Sequence, residues 1–186
     1  CFVLELFEGD LFQRLQARKD TNAYYSESEV RNMFEQLASG LAHIHKYQIV
    51  HNDLKPMNIF VQGDTLKIGD FGLSRNLENL STTISGTQKY MSPDRFVNSQ
   101  TYTLKSDIWS LGVCFYELLC LEVKGVPFFE VYRNKNFYQD IEHLLGNELG
   151  YSRQLIDIVT RCMALEPDER PSIDQVLEMI RVAGQQ

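Results

Sequence analysis

Apolar residues recur at spacings of three and four from Val30 through Met33, Phe34, Leu37 and Leu41 to Ile44. That period predicts an amphipathic helix running to about Lys46, with the stripe facing a core. Ser26 followed by Glu29 is a capping box at its start. Upstream, residues 1–7 form an apolar run that reads as a short strand, and Glu8-Gly9 ends it. Leu11, Phe12 and Leu15 then share one side of a short helix over residues 10–19.

After Gln48 the period shortens. Ile49-Val50, Ile59-Phe60-Val61 and Leu66 to Ile68 read as short strands, the last two joined by a Gly63-Asp64 turn. Residues 70–90 show no sustained period and are rich in Ser and Thr; so long an irregular stretch predicts a functional loop. From 104 to 121 apolar residues occupy every face, which is the pattern of a central, buried helix. Further helices are predicted over 137–145, 152–165 and 172–182, the last opened by a second box, Ser172 with Gln175. The expected fold class is mainly α with short β hairpins, in a single domain.

Composition narrows the function without naming it. The 186 residues carry 18 basic and 25 acidic side chains, a net charge of −7, which argues against a nucleic-acid partner because phosphate neutralisation needs clustered Lys and Arg. No apolar run approaches the length of a membrane span. The spacing of Cys1, Cys114, Cys120 and Cys162 fits neither a zinc motif nor a dense disulfide framework; three fall inside apolar helical patterns and read as buried thiols of a reduced, intracellular protein, cytoplasmic or nuclear.

The chemistry concentrates in His51-Asn52-Asp53-Leu54-Lys55-Pro56-Met57-Asn58 and, across the hairpin, Asp70-Phe71-Gly72. Gly86-Thr87-Gln88-Lys89-Tyr90-Met91-Ser92-Pro93-Asp94 follows, then Asp107-Ile108-Trp109-Ser110-Leu111-Gly112, then Arg170-Pro171. Five such pieces in this order resemble the eukaryotic protein kinase family, whose signatures include H-R-D-L-x-x-x-N, D-F-G and A-P-E. The resemblance covers essentially the whole chain but only about two-thirds of that family's domain. It implies a kinase-like large lobe over residues 10–186, with 70–94 as the activation segment. Residues 1–9 would be the last strand of a largely absent small lobe and the hinge. No G-x-G-x-x-G occurs. Because the strand Lys and the Gly-rich lid are missing, the segment alone is expected to show no turnover.

What the resemblance implies for each position follows from the needs of phosphoryl transfer, which are charge compensation and in-line positioning. Asp70 would hold magnesium through its carboxylate and Asn58 a second magnesium through its neutral carbonyl oxygen, both hard oxygen donors. Asp53 would orient the substrate hydroxyl and take up its proton late. Lys55 would face the transferred phosphoryl group, and Thr87 would bond Asp53 and Lys55; the last two resemble the serine/threonine class. Around the adenine of ATP the resemblance places Leu4, the Glu5-Leu6-Phe7 linker and Phe60, with Asp10 near the ribose. His51 and Phe71 would join an apolar spine. Asp107 would accept hydrogen bonds from the catalytic-loop backbone, and Asp94 and Arg170 would form a buried ion pair.

Two departures matter. Asn52 stands where the family has an Arg that grips a phosphate on the activation segment, so that switch is expected to be weak. Thr83 lies four residues before Thr87, the usual distance of the phosphosite, and Arg75 is a remaining basic partner. Asp94 and Ser92 replace the Glu and Ala of A-P-E. The expected function is an ATP- and Mg2+-dependent Ser/Thr protein kinase domain acting on protein substrates. The alternative is a pseudokinase-type scaffold or allosteric partner without turnover. Glu117, Glu122, Glu130, Asp140 and Glu142 are candidates for a negative substrate-facing surface, and the turn at 125–129 for a docking partner.

Overall fold

The computed structural model describes residues 5–76, 88–97, 103–122, 126, 131 and 133–185. Strand β1, Gly9–Asp10, leads into α1, Leu11–Asp20, and α2, Glu27–Lys46. Strand β2, Ile49–Val50, precedes the hairpin β3, Ile59–Gln62, and β4, Thr65–Ile68; β5 is Arg75–Asn76. Helices α3, Pro93–Val97, α4, Leu104–Cys120, α5, Phe137–Glu142, α6, Arg153–Cys162, and α7, Ile173–Ala183, complete the order.

Local signals explain most boundaries. Asp10 caps α1 by accepting from the Gln13 backbone N–H at 2.9 Å, so the helix starts one residue after the expected position. Both capping boxes form, at Ser26–Glu29 and Ser172–Gln175. Helix α5 ends at Glu142 and passes into a wider turn over His143–Glu148, where the Leu149 N–H reaches back five residues to the Leu144 carbonyl. The sequence period carried the helix to 145 because the apolar stripe continues through the wider turn.

The expected strand at the start is not present in its described part. Glu5 to Phe7 is irregular, and pairing begins only where the chain meets β3, Gly9 opposite Val61 and Asp10 opposite Phe60. A strand exists only where a partner ladder does, which the apolar run could not show. Strand β3 pairs in turn with β4, giving a three-stranded antiparallel sheet, while β2 pairs with β5.

Helix α4 is the centre. From Ser106 to Cys120 all but Tyr116 are buried, as its all-round apolar pattern requires. It packs against α2 on one side and α6 on another. Phe34 of α2 stacks on Phe115 of α4, ring centroids 3.7 Å apart. Gly112 permits the approach of α6: a Cβ there would lie 2.7 Å from the Cys162 Cβ. Cys114, Cys120 and Cys162 are free and buried, and burial pushes the Cys120 and Cys162 thiols up to about 12, so neither is a thiolate nucleophile. Among the described residues no helix is long and apolar enough to cross a membrane.

Arg170 is fully enclosed and lies 2.7 Å from Asp94 Oδ1. Its other N–H groups donate to the carbonyls of Ala164, Lys105 and Leu165 at 2.8–3.0 Å, and its guanidinium lies against the Trp109 ring. Ser106 Oγ donates to Asp94 Oδ2, so the shorter acid at 94 keeps both oxygens engaged. Removing one partner of such a pair leaves the other charged and buried. Arg170→Ala is therefore expected to lower stability by roughly 3–5 kcal/mol. Denaturant titration at unchanged slope checks this; a loss under about 1 kcal/mol, the level of an exposed pair, would refute it.

Candidate active site

The loop between β2 and β3 is suspended from α4. Asp107, at 1% exposure, accepts from the backbone N–H of His51 at 2.8 Å and of Asn52 at 3.0 Å. His45 Nε2 lies 2.9 Å from the same carboxylate. A buried acid inside an apolar helix is tolerable only with such partners, and here they hold the next residue, Asp53. His51 donates through Nε2 to the Gly69 carbonyl at 2.9 Å, which leaves Nδ1 as the acceptor of the Asp53 N–H. The His51 and Phe71 rings meet edge-on at 5.2 Å, so these two residues do associate as expected, though Phe71 is half-exposed.

Asp53 is buried, and two donors converge on its Oδ2: Lys55 Nζ at 2.7 Å and Asn58 Nδ2 at 2.9 Å. Asn58 Nδ2 also bonds the Asp53 carbonyl at 2.8 Å. With the amide nitrogen committed twice to Asp53, the carbonyl oxygen Oδ1 is the atom of Asn58 left for a cation. Asp70 caps the short turn Phe71–Leu73 in a left-handed conformation, φ 59°, with Oδ1 accepting from the Gly72 N–H at 3.3 Å. Asp is among the few residues that adopt that region at small cost. Its carboxylate is exposed to the cleft.

That cleft has a volume of about 940 Å³. Six of the sequence-predicted residues line it together: Glu5, Phe7, Asp10, Asn58, Phe60 and Asp70. Leu4 and Thr87 lie outside the described residues, as do Ser81 to Ser85; the side chain of Arg75 is not described either. Of the 125–129 turn only Val126 is described, and it is buried.

The structure adds a contact between two of the expected residues, and two residues, Lys67 and Gly69, that the pattern did not single out. Phe7 stacks on Phe60 at 5.1 Å, which leaves no room for a third ring between them; a base lying on that face of Phe60 must displace Phe7. Lys67 closes the rim by pairing with Glu5 at 2.6 Å. Gly69 matters through what it lacks, since a Cβ there would collide with the Phe60 ring.

One assignment is corrected. Glu117 cannot belong to a negative surface: it is 1% exposed, and the Tyr90 hydroxyl lies 3.1 Å from each of its carboxylate oxygens. Burial and the nearby Glu117 charge push the Tyr90 pKa well up, so the phenol remains a hydrogen-bond donor. Helical position alone did not reveal this, because α4 has no solvent face on which to place an acid.

Residues 1–180 match the protein kinase domain family. The chain belongs to that family. Its kinase-domain relatives include the mouse serine/threonine-protein kinase Nek11, 35% identical over 96% of this chain and 28% of its own length. Mouse serine/threonine-protein kinase Nek4 is 33% identical over 91% of this chain and 21% of its own length, and human serine/threonine-protein kinase Nek5 34% over 91% and 24%. The chain thus spans about a quarter of the length of the curated relatives it matches. The predominantly helical kinase-domain architecture anticipated from the motifs is the one observed.

The donor set can be tested against magnesium. Among the described residues no three His, Cys, Asp or Glu side chains gather into a protein-only cage. Asp70 and Asn58 on one cleft instead offer two hard oxygen donors, the number a magnesium ion takes when phosphates and water supply the rest. The residues of this kinase domain fit that ion.

Proposed function

We propose that this chain is the catalytic large lobe of an ATP- and Mg2+-dependent protein serine/threonine kinase. The observation that carries the reading is the pair of donors on Asp53 Oδ2 beside a cleft that also presents Asn58 and Asp70. Magnesium-bound nucleotide would supply an activated phosphoryl group. Asp53 orients the attacking Ser or Thr hydroxyl of a protein substrate and receives its proton as the bond to phosphorus forms. Lys55, already at Asp53, supplies positive charge where negative charge accumulates on the transferred group. Asn58 and Asp70 would hold the metal through their side-chain oxygens, and Thr87 would serve the Asp53–Lys55 pair. Phe60, with Leu4, Glu5 and Phe7, receives the base, and Asp10 the ribose. Among the described residues the three cysteines are buried free thiols, which suit a reducing compartment, cytoplasmic or nuclear. The serine/threonine names of the relatives support the substrate class.

The test is radiolabel transfer from ATP to a mixed protein substrate by the full-length protein, with phosphoamino-acid analysis of the product. Phosphoserine and phosphothreonine are expected. Absence of both nucleotide binding and transfer would favour the scaffold reading instead.

Regulation gives a second measurement. Asn52 brings no positive charge to a phosphate, so phosphatase treatment of the full-length protein is expected to lower turnover by less than about tenfold. A loss of a hundredfold or more would show that another basic group grips an activation-segment phosphate.

A further inference from the structure

Position 52 is occupied by a neutral residue held by three hydrogen bonds, with its side-chain Oδ1 buried and unpartnered among the described residues. Asn52 is 6% exposed and sits at φ 70°, a left-handed conformation that Asn tolerates better than most residues. Its backbone N–H donates to Asp107 at 3.0 Å, and its carbonyl accepts from the buried Arg95 Nη1 at 3.2 Å. Its side-chain Nδ2 donates to the Leu73 carbonyl at 3.0 Å.

Leu73 closes the turn that Asp70 begins. One amide therefore connects the residue before Asp53 to the turn that carries Asp70. Two neutral bonds flank it: His51 Nε2 to the Gly69 carbonyl at 2.9 Å, and Ser74 Oγ to the His51 carbonyl at 3.3 Å. Of the three, the Asn52 bond is the one that ends on a carbonyl inside the Phe71–Leu73 turn itself.

We propose that Asn52 is a positioning residue: its amide clasps the Leu73 carbonyl and so fixes the Asp70 turn relative to Asp53 without a charge at position 52. The left-handed backbone aims the side chain across the gap, and Asp107 and Arg95 hold that backbone from either side. Asn52 does not line the cleft and acts through the Leu73 main chain. The proposal rests on the kinase reading for its consequence in turnover, but not for the clasp itself.

The experiment compares full-length wild type with Asn52→Asp and Asn52→Gly. The first keeps size and left-handed tolerance but sets a carboxylate oxygen against the Leu73 carbonyl. The second keeps the left-handed backbone and removes the side chain. Amide exchange is followed without nucleotide, and ATP affinity is measured with Mg2+ and with EDTA. In both variants exchange over residues 70–74 is expected to rise about tenfold, the equivalent of one neutral hydrogen bond, with α4 unchanged. The gain in ATP affinity conferred by Mg2+ is expected to shrink about tenfold, and kcat to fall while KM for the protein substrate holds. Wild-type exchange over 70–74 in both variants would overturn the clasp, as would acceleration shared equally with α4, which marks a plain loss of stability. If wild type binds no ATP, the kinase reading fails, and the exchange measurement still decides the clasp.

Discussion

Asp70→Ala is expected to abolish magnesium-dependent turnover of the full-length protein. The carboxylate faces the cleft, and among the described residues only the Gly72 N–H bonds it, through Oδ1. A metal held by so few protein ligands depends on each of them. Losing the Lewis acid removes several kcal/mol of charge stabilisation, on the order of 10³-fold or more in rate. Alanine also fits poorly at φ 59°, so Asp70→Asn is the necessary companion: it keeps the left-handed turn and the Gly72 bond but removes the anionic ligand. Both variants should lose turnover at Mg2+ concentrations that saturate the wild type. Either one retaining a near wild-type rate would remove Asp70 from the metal site.

Much of this site could be read from residue order, and the reason is local. The Asp53–Asn58 spacing brings the two into one loop, and the hairpin after it returns the chain so that Asp70 lines the same cleft as Asn58. Helix caps were readable for the same reason, since Ser26 with Glu29 and Ser172 with Gln175 act over three residues. What escaped the sequence depends on partners far along the chain. Strand β5 is two residues long and exists because β2 lies beside it. Glu117 looked like a surface acid until α4 proved to have no surface, and its partner Tyr90 lies 27 residues away. Asn52 was legible only as a missing charge; the Leu73 carbonyl it holds gives no side-chain signal at all.

These long-range ties also divide labour between stability and chemistry. Asp107 and Arg170 are enclosed and serve backbone groups, so their loss should be felt first in folding. Asp53 is different. It is buried, but the groups on its carboxylate include the ammonium of Lys55 and the amide of Asn58, which the proposed function assigns to the reaction centre.

Asp53→Asn should therefore separate catalysis from fold. The substitution keeps the side chain's shape and one acceptor oxygen while removing the negative charge and the proton acceptor. The loop backbone stays hung from Asp107, so the thermal melt should move little. Nucleotide affinity should stay within about twofold, since Asp53 does not line the cleft that would take the base and phosphates. Turnover should fall roughly 10²–10⁴-fold, the range for a positioned acid–base group. Nucleotide Kd, kcat and melting temperature on the full-length pair decide it. An unchanged kcat with an unchanged melt would show that Asp53 is not catalytic, and the Lys55 and Asn58 contacts would then be a packing device. A fall in kcat that tracks a falling melt would place Asp53 with Asp107, as a support for the loop. A steep fall in kcat at constant melt and constant nucleotide affinity has one physical source, a group needed only as the hydroxyl gives up its proton.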